Sequence, residues 1–391
     1  MPRYPLFFAS LLLAAGACAA PHVPSSDSQV LERLPFKAND PVARQLSGLR
    51  AELQRDPRNR DVAVALARRY YGMVAEEGDP RYLGYAEAAL APWWNLPEPP
   101  VDVQVMRASI RQFRHDFDGA VDDLNQVIRR DPANAQALAL RAVIHIVQAR
   151  YGDARKDCIA LHEVGDPHIG LGCEAMVDGL TGHAEQGYRT LSEALAQARG
   201  LTPPKRMWLL IRLAELAERI DRPDLAEAHF KDALGLDITD TFLLAAYADL
   251  LLSQHRAAET LTLLRDKTRS DVLLLRLVLA ARETNAKDAP QLEETLAARY
   301  EAAQLRGDTV HQQEESRFAL QVKHDPQRAL RLAQENWKVQ REPRDAQVFL
   351  EAAVAAKAPD AARPVLEWLE QNHLQDKALH ALAQRLKGER S

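Results

Sequence analysis

The residues best placed for chemistry are Cys158, His162, His168 and Cys173, which fall within one short stretch of the 391-residue chain. Cys158 and His162 are four apart, so a helix would put them on one face. Two thiolates and two imidazoles could hold zinc, although these spacings match no established finger. The same cysteines could join as a disulfide, or stand as free buried thiols. Nothing else has the form of a catalytic constellation: there is no phosphate-cradling glycine loop, no Cys-x-x-Cys and no His-Glu-x-x-His. Arg306-Gly307-Asp308 spells an adhesion tripeptide, yet Gly-Asp between two helices is ordinary turn chemistry. The remaining carboxylates and histidines read as solvated helix faces. The chain is therefore expected not to be an enzyme and to need no metal or cofactor.

The third cysteine, Cys18, belongs to a different kind of segment. Arg3 precedes a short apolar run (LFFASLLLAAGA) followed by small residues, the pattern of an export signal. Ala15-Gly16-Ala17-Cys18 resembles the lipobox of bacterial lipoproteins, with Ala15 where Leu is usual. Cys18 is thus a candidate lipidation site, and cleavage after Ala17 or Ala19 is the alternative. Either way the expected location is the periplasm or the outer membrane. Export exposes the chain to oxidising conditions, which favours pairing of Cys158 with Cys173. Residues 19–40 read as a tether. Beyond the N-terminus no apolar run reaches the roughly 18 residues of a membrane span, so membrane contact is expected only through a lipid on Cys18. A net charge of −5 on this length does not imply a nucleic-acid partner.

The elements that must position these residues are repeats. Residues 101–134 and 135–167 are two copies of one unit: Arg107 falls on Arg141, Ala108 on Ala142, Phe117 on Tyr151, Ala120 on Ala154 and Asp123 on Asp157. Ala108 and Ala120 are small where two helices must approach, and a larger side chain at either would cost about 1–3 kcal/mol. Pro132 stops the second helix. Arg107 and Asp123 are placed to pair between the two helices, at about 0–1 kcal/mol if partly exposed. Cys158 stands where Leu124 stands one unit earlier, an inward position, and Cys173 lies two residues before the small Ala175.

A period of about 34 residues with this order of small, aromatic and proline positions resembles the tetratricopeptide repeat family. The resemblance implies an all-α fold, a superhelical solenoid of antiparallel helix pairs, with about seven to nine units. Residues 41–100 read as N-terminal helical units ending in a Trp93-Trp94 and Pro97–Pro100 joint, 101–270 as the clear array, 271–309 as a degenerate pair and 310–391 as C-terminal repeat-like units. The family binds proteins or peptides on the inner face, at places 2, 5, 9 and 12 of each first helix. Here those places offer Val105, Ser109 and Gln112, then Ala139, Val143 and Ile146, then Met176, then Ile211, Glu215 and Glu218, then Asp249 and Leu252. The Lys and Asn with which some family members clamp an acidic tail are absent from them. The expected partner is a protein or peptide with apolar anchors and some basic character, held by an exported scaffold whose candidate lipid anchor is Cys18. An envelope lipoprotein acting by self-association is the alternative. In either case the chain's own C-terminal repeats could curl over the apolar positions instead.

Overall fold

The computed structural model describes residues 40–308 and 310–388. The export segment, Cys18 and all of the tether but its last residue lie outside them. The chain divides into two compact units, residues 1–48 and 49–391. In the first, the described part is residues 40–48, where Asp40 caps the start of α1 (Pro41–Arg55) by accepting from the Val42 N–H at 2.8 Å.

The second unit is a run of antiparallel helix pairs. In order they are α2 (Arg60–Glu77) with α3 (Arg81–Ala89), then a short α4 (Ala91–Trp94), then α5 (Val101–Phe113) with α6 (Phe117–Arg130). Next come α7 (Ala135–Val147) with α8 (Tyr151–Val164), α9 (Pro167–Leu180) with α10 (Ala184–Gln197), and α11 (Pro203–Arg219) with α12 (Pro223–Leu234). The run continues through α13 (Thr241–Ser253) with α14 (Ala257–Leu264), and α15 (Asp271–Glu283) with α16 (Ala289–Leu305). It ends with α17 (Gln312–Gln321) and α18 (Pro326–Val339), α19 (Pro343–Ala355) and α20 (Arg363–Gln371), and a last helix α21 (Lys377–Gly388). The described residues thus hold nine pairs, and no described helix is long and apolar enough to cross a membrane.

The first pair turns at the left-handed Gly78, and a common turn makes each of the other eight pairs antiparallel. The residue after the first helix adopts the left-handed conformation at His115, Ala149, Gly182, Asp221, His255, Asn285, His324 and Lys357. In the first of these the Asp116 N–H reaches back to the Arg111 carbonyl at 2.9 Å and the His115 N–H to Gln112 at 3.0 Å. The same two bonds recur at Ala149–Arg150 and at Asp221–Arg222. This is the Schellman motif, which satisfies carbonyls that a helix end leaves open. Only one of the eight residues is glycine, so most of these turns carry a strain of about 1–2 kcal/mol that the pair's packing offsets.

Within a pair, Ala108, Ala120 and Leu124 are wholly buried around Phe117, as the repeat pattern requires. Arg107 and Asp123 do pair, at 2.6 Å, but their side chains are only 5% and 2% exposed, so the expectation of a partly exposed bridge is corrected. Arg107 also donates to the carbonyls of Trp94 and Leu96, which fixes the proline-rich joint, while Arg111 adds a second contact to Asp123 at 2.7 Å. One guanidinium therefore ties the joint to the first full repeat. Arg141 and Asp157 repeat the pairing at 2.5 Å.

Between pairs, a disulfide joins Cys158 of α8 to Cys173 of α9, with 5.3 Å between their Cα atoms. Gly170 lets these helices come so close, since a Cβ there would run into the His162 backbone. The two histidines turn away to carboxylates, His162 to Glu174 at 3.3 Å and His168 to Asp166 at 3.2 Å. Among the described residues no group of three or more His, Cys, Asp or Glu could hold a metal ion.

A large apolar cluster joins α7–α9, in the middle of the repeat run, to the helices that end it. Trp337, Phe349, Val365 and Trp368 from α18 to α20 pack with Leu138, Ala142, Ile146 and Tyr151 from α7 and α8. Polar contacts follow the same seam: the Trp368 indole N–H donates to the Tyr151 hydroxyl at 3.1 Å, and the Arg341 N–H to the Val147 carbonyl at 2.8 Å. Further along, the Ala184 N–H donates to the Gln375 side chain at 3.0 Å, and Lys377 pairs with Asp221 at 2.8 Å.

Candidate binding chamber on the inner face

That seam decides the fate of the expected groove. Val105 and Ser109 are buried within α5's own packing, with the Ser109 hydroxyl bonded to the Val105 carbonyl at 3.0 Å. Gln112 accepts from the Tyr71 hydroxyl at 3.5 Å. Ile146 lies in the cluster built by the C-terminal helices, and Ala139 and Met176 pack against it. Val143 packs against the cluster of α5–α7, as Val339 also does, and Ile211 is buried in the cluster of α9–α13. The expectation of an open apolar floor from Ala139 to Met176 is therefore corrected. The physical reason is that the C-terminal helices carry an apolar face of their own, and the two faces remove each other from water.

Val105 borders an open cavity of about 560 Å³ with Arg60, Arg68, Asp102 and Arg130, and a second cavity lies further along the run. Four of the expected positions, Glu215, Glu218, Asp249 and Leu252, line this second cavity of about 450 Å³. Five first helices wall it. α11 contributes Glu215 and Glu218, α13 contributes Phe242, Asp249 and Leu252, and α15 contributes Arg276, Leu279 and Glu283. From α17 come Glu314, Arg317 and Gln321, and from α19 come Arg344, Gln347 and Glu351. The last three helices each present residues at i, i+3 and i+7, which is one face of a helix. Sequence reasoning reached only α11 and α13 because the repeat consensus fades after residue 270. The signal it lacked was this polar stripe, recurring on helices whose other faces are leucine- and alanine-rich.

The walls are held by charge. Asp249 takes Arg276 in two bonds, at 2.8 and 3.1 Å, and Arg317 at 2.6 Å, while Arg276 also lies 3.5 Å from Glu314. Burial would push the Asp249 carboxyl up, but Arg276, Arg317 and Arg344 outweigh it and hold it well below the usual carboxylate range. This shared carboxylate cross-links α13, α15 and α17. At the α13 end, the guanidinium groups of Arg212 and Arg344 each stand 5.1 Å from the half-exposed Phe242 ring, which brings α11 and α19 together across α13.

Other carboxylates are not neutralised in this way. The Glu218 side chain is exposed to the cavity, yet the enclosing walls push it up to about 7, with Arg344 opposing and Glu215 reinforcing the shift. Burial and then Glu215 raise Glu342, and burial and then Glu342 raise the neighbouring Asp345. Eight carboxylates and four guanidinium groups line the cavity, so it carries an excess of acid. The arrangement suits reversible binding of a polar or cationic group better than bond-making chemistry, since no nucleophile and base stand paired within it.

No family model matches the chain, and no curated protein does. Several solved structures are similar in fold. A tetratricopeptide repeat protein from Parabacteroides merdae is 14% identical, covering 66% of this chain and 91% of that one at a TM-score of 0.43. The Cut9–Hcn1 hetero-tetramer of the APC/C is 13% identical over 84% of this chain and 63% of that one, TM-score 0.48. A human IFIT1 dimer with PPP-AAAA is 14% identical over 89% of each chain, TM-score 0.46. The fold rests on the chain's own geometry: all-α antiparallel pairs, turned at a recurring left-handed residue, in the manner of the tetratricopeptide repeat.

Proposed function

We propose that this chain is a non-enzymatic scaffold that holds a segment of a partner protein or peptide in the chamber between α11, α13, α15, α17 and α19. The observation that carries the reading is the chamber itself, an accessible polar cavity walled by the first helices of five successive pairs. With the apolar floor covered, recognition rests on polar and charged groups, and the apolar anchors expected of the partner lose their seat. The cell envelope is the proposed setting. The short apolar leader, Cys18 and the cysteine pair of α8 and α9 support it, since paired thiols suit an oxidising compartment.

The test fills the chamber without touching its charges. Leu252 and Leu279 are partly exposed on its wall, and Leu252→Trp with Leu279→Trp adds bulk there. A random peptide library is selected on the full mature protein, and the enriched peptides are then offered to the filled variant at matched thermal stability. Loss of binding is the expected result. Equal binding to both proteins would move the working surface away from the chamber.

A further inference from the structure

We propose that the chamber reads a cationic side chain, a lysine ammonium or an arginine guanidinium on the bound segment, and that the Glu218 carboxylate receives it. The inference rests on the chamber being the binding site and names what that site selects.

The charges around the chamber do not cancel among themselves. Arg276 and Arg317 are both engaged with Asp249. Glu218 accepts no hydrogen bond and has no cation within ion-pair distance among the described residues, although its side chain lines the cavity. The groups that face it are Arg344 from α19, Asp249 from α13, and Glu215 and Arg219 from its own helix. Arg344 is turned to the Phe242 ring instead. Glu218 also sits in the last turn of α11, where the open carbonyls disfavour a negative charge. The like charges of Glu215 and Asp249 and the helix end act against an ionised carboxylate, Arg344 and Arg219 favour it from a distance, and no cation of the described residues touches the Glu218 carboxyl, which stands exposed to the cavity. An exposed carboxylate on the wall of an acid-rich cavity, with no internal ion pair among the described residues, is free to take a cation from a ligand.

The form of the cation follows from the walls. A bare divalent ion would need several carboxylates converging on one point, and no such group exists among the described residues. A cation at the tip of a flexible apolar stem fits better, because its methylenes can lie along Leu252 and Leu279 while its charge reaches Glu218. A charge-assisted contact of that kind separates a charged ligand from its neutral isostere by about tenfold or more in affinity.

The experiment uses the mature protein and two pentapeptide pools with blocked ends and small or aliphatic flanking residues. One pool carries a central lysine and the other Nε-acetyl-lysine. Binding is followed by competition fluorescence anisotropy. The expected result is a preference for the lysine pool of about tenfold, lost in Glu218→Gln at unchanged melting temperature and weakened by salt. The preference should also fade as pH falls from about 8 to about 6, where Glu218 becomes neutral, and this pH dependence should be absent from the variant. Equal binding of the two pools to the wild type, or no binding of the lysine pool, overturns the inference without needing the variant. If both pools bind the wild type alike and neither binds the filled chamber, the scaffold reading stands and the cationic one falls. If both bind the filled chamber as well, both fall.

Discussion

Trp368→Ala is the substitution that asks whether the C-terminal helices are part of the fold or a cover that can lift. Trp368 is 5% exposed, packs edge-on to Trp337 at 5.3 Å between ring centres, and donates its indole N–H to the Tyr151 hydroxyl at 3.1 Å. Truncating a buried tryptophan costs about 3–5 kcal/mol, and the Tyr151 hydroxyl loses its donor as well. A cost of about 4 kcal/mol, at about 1.4 kcal/mol per factor of ten, corresponds to roughly a thousandfold increase in local opening. Hydrogen exchange followed by mass spectrometry reads it directly. The amides of α7, α8 and α9 should lose protection together with those of α18, α19 and α20, because the two sets share one cluster. Loss of protection confined to α18–α20 would refute the reasoning. It would mean that α7 and α8 keep their structure with the apolar floor uncovered, and the groove over Ala139, Val143 and Ile146 would be available to a partner after all.

Four further outcomes are expected. Asp123→Ala leaves Arg107 buried without its counter-charge and should cost about 3–5 kcal/mol in urea unfolding; a loss below about 1 kcal/mol would mean the pair is solvated in solution. Ala149→Gly relieves a left-handed alanine at φ 58° and should raise stability by about 0.5–1 kcal/mol. Glu218 is raised to about 7 from an ordinary 4.5, so the folded chain binds the proton more tightly than the unfolded one. That contribution is full below the unfolded value and is lost as pH rises through about 7, so Glu218→Gln should gain on the wild type in thermal melts above neutrality and not at acid pH. On the envelope reading, Cys18→Ser moves the protein from the membrane fraction to the soluble periplasmic fraction, and a wild type already soluble there would remove the lipid while leaving export standing.

The repeat itself was legible because its determinants are local. Ala108 and Ala120 can be recognised as helix contacts, Arg107 and Asp123 as a pair, and Cys158 as an inward position, each from its place in a unit of about 34 residues. The burial of Arg107 was not, since it depends on the Trp94 and Leu96 carbonyls of an irregular joint outside the unit. The turns were hidden for a different reason. A left-handed residue usually announces itself as glycine, and here His115, Ala149, Asp221 and His255 occupy it under the force of packing. Closure of the floor depended on long-range pairing. Trp337, Phe349 and Trp368 say that a face must be buried, but their spacing does not name Leu138 and Ile146 as the surface that buries it.

The division between covered floor and open chamber follows from what each inner face is made of. On α7 and α9 the inward positions are Ala139, Val143, Ile146 and Met176, and a second apolar face from the same chain gains by covering them. From α11 onward the inward positions turn to Glu215, Glu218, Asp249, Arg276, Arg317 and Arg344. Covering these with apolar side chains would strand charges away from water, at several kcal/mol for each ion left without a partner. The closest approach the chain achieves there is side chain to side chain, through the shared Asp249 and the two guanidinium groups on Phe242. Those contacts hold the five helices at a fixed spacing without filling the space between them. The charge on the inner face is therefore what keeps the chamber open, and the same excess of carboxylates that prevents its collapse sets the kind of ligand it can accept.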